Sequence, residues 1–505
     1  MAASIVAALF GLSILFLFYL RQKPSLPLPP GPKGKPIIGN LADLPPPNTP
    51  EWKHWLEFQD RYGPINSITI LGQTIIVLHD ARMVVDLLEK RSSIYSSRPR
   101  LVFAGEMIGW NDVLALQPSN GRFRAYRKAV HQVLGTKSLV EKFNPLQERE
   151  ARRFLQRLLD DPVDLVQHLR SEAGAIILKI AYGYTVKTDG HDPLVKMAND
   201  AMESFSTAGS PGMWMVDTIP ALKYLPTWFP FAKFQRLGRI WRTQLLTAME
   251  TPYRMVRKQM ADGTHSPSYL SALLEKPLTE EDEHIAQWTA GSLFTGGADT
   301  TVSTLITFFL AMALNPDVQT KAQEELDRVL GPYTLPCAAD RPKLPYINAI
   351  VKESLRWYPV APMGLPHLCT KEDEYQGYRI PKGAIVMQNI WSITHNPTTY
   401  SSPETFNPDR FLGATPDPDP ADVVFGFGRR ICPGRVLADS SIFVTVAMAL
   451  AVLKIQPGAG EGKEMGGKKL EVDFSPGVVS HPVLPRGGVR VVARSKRHEE
   501  VVGGR

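Results

Sequence analysis

Residues 292 to 314 read SLFTGGADTTVSTLITFFLAMAL, a helical-length run whose one charged side chain is Asp299. A helix apolar on every face has two homes, a lipid bilayer or the centre of a domain large enough to surround it. At 505 residues with 44% hydrophobic side chains, the chain is long enough to bury both such a helix and a cofactor. The run also carries two adjacent glycines, Gly296 and Gly297, each costing about 1 kcal/mol relative to alanine in a helix interior. Together they leave a notch at the backbone, open to a ligand or to a closely packed neighbouring helix. Asp299, Thr300 and Thr301 put an acid and two hydroxyls beside that notch, groups that relay protons or hold water. A ligand notch, close helix packing and a membrane span are the three readings of this segment.

A second apolar run opens the chain. MAASIVAALFGLSILFLFYL, residues 1 to 20, has no charged side chain and the length needed to cross a bilayer as a helix. Arg21, Lys23, Lys33 and Lys35 follow on one flank, which places the bulk of the protein in the cytoplasm by the positive-inside rule. A cleaved signal would carry positive charge before its apolar stretch, and here there is none, so a retained anchor is predicted. The predicted organisation is a transmembrane anchor at 1 to 20, a basic, proline-rich hinge at 21 to 50, and a single catalytic body over 36 to 505, with no internal repeat. The Pro- and aromatic-rich stretch LPTWFPFAKF, residues 225 to 234, suits either the membrane interface beside the anchor or a core-packing loop.

The formal charge of +7 comes from 57 basic and 50 acidic residues spread along the chain, without the basic and aromatic alternation that nucleic acid calls for. No nucleic-acid partner is expected; an acidic protein surface or anionic lipid suits the charge better. Cys337, Cys369 and Cys432 are odd in number and lack C-x-x-C spacing, which argues against a disulfide framework or a zinc site. SITILGQTIIVLHD (67 to 80) alternates as a hairpin does, and IPKGAIVMQN and GVRVVAR read as further short strands. ARMVVDLLEKRSSIY, NPLQEREARRFLQRLLDD and NPDVQTKAQEELDRVLG carry helical periodicity, so the fold class is mainly α with small β-sheets.

Three fragments in the second half carry chemistry. In KESLRWYP, Glu353 and Arg356 share a helix face ended by Pro359; alone, such a pair is ordinarily a solvated salt bridge. In FNPDRF, Arg410 sits in an aromatic, proline-ordered loop from which it could reach a buried carboxylate. In FGFGRRICPGR, glycines at 426, 428 and 434 let the backbone bend around Cys432, and Pro433 removes the next amide hydrogen. A loop built this way presents a thiolate. Arg429, Arg430 and Arg435 supply the positive charge a thiolate needs, with guanidinium forks left over for a carboxylate.

The pattern F-x-x-G-x-R-x-C-x-G, met by Phe425, Gly428, Arg430, Cys432 and Gly434, resembles the haem-binding signature of the cytochrome P-450 superfamily. G-G-x-D-T-T at 296 to 301 resembles the oxygen-activating helix of that family, E-x-x-R at 353 to 356 its buried ion pair, and F-x-P-D-R-F at 406 to 411 the loop completing a triad through Arg410. The anchor and hinge resemble eukaryotic microsomal members, and the general texture resembles fungal secondary-metabolite enzymes. The resemblance implies the P-450 fold, with haem between the long oxygen-activating helix and the cysteine loop. It makes Cys432 the axial thiolate to haem iron. Phe425 and Gly434 would contact the cofactor, and Arg127, Arg430 and His367 would bind its propionates. Asp299 and Thr300 would deliver protons during oxygen activation, while Glu353, Arg356 and Arg410 would hold the cysteine loop.

The function so implied is a monooxygenase that inserts one oxygen atom from O2 into a small hydrophobic substrate, a secondary metabolite of terpenoid, polyketide or indole type. The cofactor would be haem b, iron protoporphyrin IX, with NADPH electrons arriving through NADPH-cytochrome P-450 reductase, docked near Arg122, Arg124, Lys128 and Arg435, and cytochrome b5 as an additional partner. The location would be the endoplasmic reticulum membrane, with a single-pass anchor and a cytoplasmic catalytic domain. Substrate contacts would come from Val102 to Leu116, Leu293 to Thr295, Val360 to Leu365 and Val478 to Val479. An isomerase, dehydratase or peroxygenase needing no reductase is the alternative within enzymes, and a non-catalytic membrane-tethered haem or lipid-binding protein the alternative outside them. One departure from the family pattern stands out. Where W-x-x-x-R is usual, the chain has Phe123 and Arg127, so one hydrogen-bond donor to a propionate is missing and Phe123 is expected only to pack.

Overall fold

The computed structural model describes residues 26–46, 49–187, 192–210, 212–230, 232–458 and 472–503. The predicted anchor at 1 to 20 and the first residues of the hinge lie outside these. Residues 292 to 314 lie within one long helix, α6 (Glu280–Leu314), one of eight helices that build or flank the site. The others are α1 (Gly121–Leu134), α2 (Asn144–Asp160), α3 (Leu165–Tyr182), α4 (Pro193–Ala208), α5 (Lys233–Ala261), α7 (Pro345–Trp357) and α8 (Arg435–Val452).

α6 starts cleanly because Thr279 and Asp282 form a reciprocal capping box, and Glu280, Glu281, Asp282 and Glu283 complement the positive end of its dipole. Its apolar character follows from its position. Leu293, Phe294 and Ala298 belong to one hydrophobic core, while Val302, Leu305, Phe308, Phe309 and Met312 belong to a second. The helix runs through the middle of the domain, and protein covers most of its most apolar stretch. It is a core helix and not a membrane span, and α8, equally apolar, is buried in the same way. α3 and α2 lie beside α6 on one side, and α8 packs against both α6 and α2.

Strands β1 (Ile65–Ile70) and β2 (Gln73–Leu78) form the predicted hairpin, turning through Leu71 and Gly72 at φ of 47° and 88°. Two consecutive positive φ values are the signature of a type I′ turn, which matches strand twist. β3 (His367–Leu368), β4 (Asp373–Tyr375), β5 (Tyr378–Ile380) and β6 (Ile385–Gln388) follow, and β1, β2, β6 and β3 make one sheet in that order. β2 runs parallel to β6 with Ile75 opposite Ile385, and β3 runs antiparallel to β6 with His367 opposite Val386. This pairing puts His367 at the rim of the central cavity. β7 (Leu453–Pro457) and β8 (Val489–Ala493) close the C-terminal end.

The described part of the proline-rich segment is tied down. The Ser67 hydroxyl donates to the Pro29 carbonyl at 2.6 Å, and the Ser67 and Arg379 amides donate to Pro30 and Pro27. A side chain at Gly31 would stand 1.9 Å from the Ser67 carbonyl oxygen, so only glycine fits. The segment expected to be a hinge is therefore a strap across the sheet from Pro27 onward.

Candidate active site

A cavity of about 370 Å3 lies between α6 and the cysteine loop, walled by residues that range in sequence from Arg98 to Val479. The loop from Phe425 to Arg435 takes its shape from Gly426 and Gly428, at φ of 78° and 52°. A Cβ on Gly428 would come within 2.6 Å of the Leu88 carbonyl oxygen, so glycine lets the loop press against that backbone. The Cys432 amide donates to the Phe425 carbonyl at 2.8 Å and closes the loop. Phe425, Cys432, Pro433 and Gly434 all face the cavity, and α8 begins immediately behind them.

The Cys432 thiol is half-buried at the cavity wall, and desolvation pushes it above the usual range of a free cysteine. The Gly434 and Arg435 amides and the charges of Arg127 and Arg435 pull the other way without prevailing. Flanking arginines alone therefore do not make the thiolate that the sequence suggested, and a coordinated metal would. Arg430, the nearer arginine in sequence, turns away from the thiol toward the carbonyls of Ser96 and Gln117.

Across the cavity stands α6. Gly296 has nothing within 4 Å of where a Cβ would be and opens onto the cavity, whereas a Cβ on Gly297 would meet Ile177 at 2.9 Å. The two glycines thus serve two of the predicted purposes, one a ligand notch and the other close packing against α3. Thr300 and Thr301 line the cavity, and the Thr300 hydroxyl donates to the Gly296 carbonyl at 2.7 Å. Asp299, expected beside Thr300, is buried but does not line the cavity: its Oδ2 lies 3.1 Å from His481 Nε2. Neighbouring residues on a helix point about 100° apart, so sequence adjacency did not bring the two side chains to one face.

His481 belongs to a C-terminal segment stapled to this helix. Ser303 donates to the Ser480 carbonyl at 2.8 Å, and the Ser206 hydroxyl donates to the Val479 carbonyl at 2.7 Å. The same segment presents Val478 and Val479 to the cavity. The other expected contact regions also reach the wall, through Val113, Leu114, Leu293, Val360 and Leu365. Met202 and Phe205 of α4 join them, without any local sequence signal beyond ordinary helical periodicity.

Arg98, Arg127, Arg430 and His367 all line the cavity, and the charges of Arg98 and Arg430 act on His367. Arg98, which the sequence reading missed, donates to the carbonyls of Ala115, Leu365 and Pro366 at 2.7 to 2.9 Å. Arg127 donates to the Ile431 carbonyl at 2.6 Å. None of these arginines has a carboxylate partner among the described residues, and Arg430 Nη1 is buried with no partner at all. Burial lowers all three, Arg98 to about 9 and Arg430 to about 8, with the arginines' mutual repulsion adding to the shift in Arg430. His367 Nδ1 lies 2.8 Å from the Tyr95 carbonyl, which can only accept, so Nδ1 carries a hydrogen. Burial and the adjoining arginines push His367 well below its ordinary range, leaving Nε2 an acceptor until an anion arrives. The Arg430 guanidinium stacks 3.7 Å over the centre of the Phe123 ring. Phe123 therefore does more than pack: its π face supports a buried cation.

Behind the cysteine loop, Glu353 and Arg356 are completely buried, so the solvated salt bridge expected of an isolated pair is not what forms. Arg356 Nε and Nη2 donate to the two Glu353 oxygens at 2.7 and 2.8 Å, and Arg410 Nε donates to Glu353 Oε1 at 3.2 Å. Arg410 also pairs with Asp417, and Arg356 takes the Thr394 carbonyl. This network ties α7 to the segment that leads into the cysteine loop.

A family profile described as "Cytochrome P450" matches residues 29–476. The chain is 45% identical to cytochrome P450 monooxygenase claR of Ampulloclitocybe clavipes over 99% of its own length and 92% of that protein. It is also 45% identical to cytochrome P450 monooxygenase ppsD of Aspergillus oryzae, over 99% and 96%, and 42% identical to O-methylsterigmatocystin oxidoreductase of Aspergillus flavus, over 98% and 93%. The chain is a cytochrome P-450. It is accordingly an oxidoreductase of the haem-thiolate monooxygenase class, and its mainly α architecture with small sheets is the P-450 fold. The cofactor of this family is haem, and the site fits it. Haem carries two carboxylates, and the cluster of Arg98, Arg127 and Arg430 lines the cavity as positive charge without an anion, with an unfilled donor at Arg430 Nη1. Cytochromes P-450 work with a redox partner and on hydrophobic substrates, which the apolar upper wall suits.

Proposed function

We propose that Cys432 holds the iron of haem b and that this P-450 oxygenates a hydrophobic small molecule of the fungal secondary-metabolite kind. The observation that carries this reading is the opposition of three elements across one cavity: the Cys432 loop, the Gly296 notch with Thr300, and the anion-free arginine cluster. Haem, when bound, supplies oxygen activation at its iron. Arg98, Arg127, Arg430 and a protonated His367 would hold its carboxylates, the incoming anion opposing the burial and the arginine repulsion that keep His367 neutral. Thr300 offers its hydroxyl at the cavity wall, and Asp299, held by His481, supplies the acid on the far face of the same helical turn. Trp110, Val113, Phe205, Val360 and Val479 exclude water and hold substrate by shape. Relatives named as monooxygenases and as O-methylsterigmatocystin oxidoreductase support a secondary metabolite as the substrate class.

Electrons come from NADPH through NADPH-cytochrome P-450 reductase, with cytochrome b5 as a second donor. The exposed cations Arg124, Lys128 and Arg435 flank the cysteine loop and suit an acidic partner. Arg122, expected among them, is committed to Glu281 through a two-point pair at 2.8 Å. Within LPTWFPFAKF, Trp228 and Phe229 are exposed, as is the preceding Tyr224, whereas Ala232 is buried and Phe234 packs against the core beside Phe103, so the stretch divides between the two readings; Phe231 lies outside the described residues. The exposed aromatics support contact with the endoplasmic reticulum membrane beside the N-terminal anchor.

Replacing Cys432 with Ser is expected to abolish the red-shifted carbon monoxide band of the reduced protein; a surviving band would overturn the ligand assignment. With reductase and NADPH, candidate terpenoid, polyketide and indole metabolites should gain one oxygen atom by mass spectrometry. Conversion that needs no reductase would favour the peroxygenase or isomerase reading. Thr300→Ala should keep haem and divert NADPH oxidation to hydrogen peroxide, and unchanged product per NADPH would remove Thr300 from proton delivery.

A further inference from the structure

Asp299 faces away from the cavity, yet the cavity has a carboxyl of its own. Glu172, in the otherwise apolar stretch of α3, is 1% exposed and lines the wall together with Thr304 of α6 and Ser441 and Thr445 of α8. Its Oε1 accepts from the Thr445 hydroxyl at 2.7 Å, while its Oε2 is buried with no hydrogen-bond partner. A buried carboxyl oxygen left open in this way is costly unless water or a proton satisfies it. On its other side lies α2. From there Arg157, half-buried and with Nε and Nη2 also unpartnered, attracts the ionised form, and Glu150 opposes it. Unpartnered polar atoms on both residues suit a site that ordered water would bridge.

We propose that Glu172 is a second proton-supplying group of this enzyme, receiving protons from solvent by way of water ordered at Arg157 and passing them to the Thr304 side of the cavity. It rests on the reading that Cys432 holds haem iron. The step balances. Monooxygenation consumes O2, two electrons and two protons to give hydroxylated product and one water; the reductase supplies the electrons. Glu172 releases one proton to water at the cavity wall and regains one from solvent through its O–H bond, so the carboxyl is unchanged over a cycle. Burial pushes Glu172 up to about 7, with Thr445 and Arg157 pulling it down and Glu150 opposing them. A carboxyl in that range both holds and yields a proton near neutral pH.

The test uses full-length holoprotein carrying Glu172→Gln, which keeps shape and hydrogen bonding but cannot transfer a proton, with Glu172→Asp as the conservative variant. An infrared difference between wild type and Glu172→Gln should show a protonated-carboxyl band, shifted in D2O, that only wild type has. With reductase and NADPH, product per NADPH should fall roughly ten-fold while peroxide rises. That is less than the 10² to 10⁴ usual for a general acid, because the Thr300 route remains. Glu172→Asp should recover part of the loss. If Glu172→Gln folds poorly, Thr445→Val keeps the carboxyl, removes the Oε1 hydrogen bond together with the Thr445 contact to the Ser441 carbonyl, and should shift partitioning the same way by a smaller factor. An intact carbon monoxide band with wild-type product per NADPH and no missing carboxyl band would overturn the role of Glu172 and leave the cysteine assignment standing. Loss of the carbon monoxide band in both Cys432→Ser and Glu172→Gln, with unchanged haem content in Thr445→Val, would assign Glu172 to haem retention and overturn the proposal too.

Discussion

Two clusters of arginine, one buried behind the cysteine loop and one partly buried along the cavity wall, are built on opposite terms. Around Glu353, two guanidiniums meet two carboxylates, Glu353 and Asp417, and the remaining donors reach main-chain carbonyls. Around Arg430, three guanidiniums meet only neutral carbonyls and one aromatic face, and one N–H is left without a partner. The first cluster is complete within the polypeptide and behaves as architecture. The second is incomplete until an anion enters, so it behaves as a receptor. The lesson is that charge balance, more than burial, separates structural arginines from ligand-binding ones.

The comparison breaks most visibly at Glu353. Glu353→Ala should strand Arg356, leave Arg410 with Asp417 alone, and cost about 3–5 kcal/mol, the usual penalty for an uncompensated buried charge. Thermal unfolding should show it in the haem-free and haem-loaded protein alike. Arg430→Ala should do the reverse: haem-free protein loses little or gains stability, while haem passes to an apo-acceptor protein at least about ten-fold faster, as the loss of a charge-assisted bond implies. The smallest effect is at Phe123. Phe123→Leu removes a cation–π contact of about 0.5–2 kcal/mol and should speed haem loss by a few-fold, less than Arg127→Ala does, with Phe123→Trp tolerated or slower. Equal loss from Phe123→Leu and Arg127→Ala would mean that the ring, and not the guanidinium, governs retention.

What could be read from the sequence followed from how locally each feature is encoded. The Cys432 loop was legible because its glycines, proline and cysteine lie within one short stretch and act on one another through the backbone. The Glu353 pair was legible as a pair, but its burial was not, because Arg410 and Asp417 arrive from another part of the chain. Arg98 escaped notice because the receptor cluster is assembled from residues 98, 127, 367 and 430, with nothing beside Arg98 to mark it. Glu172 was hidden for a related reason: the surrounding AGAIILKIAY reads as a core-facing helix, and only packing decides that its acid meets a cavity. The core helix and the hairpin were accessible from apolar content and alternation. The strap at residues 27 to 31 was not, since proline-rich composition describes stiffness and says nothing of what it lies against.

The staple between the C-terminal segment and α6 has an evolutionary consequence. Val478 and Val479 shape the space offered to a substrate, while Ser480 and His481, the next residues, grip the turn that bears Asp299, Ser303 and Thr300. Selection for a bulkier or smaller molecule at this wall therefore cannot act on shape alone, since each change of backbone position is transmitted to the chemistry two residues away. Variants that gain a new substrate here should first do so wastefully, and recover efficiency only through later changes along the helix.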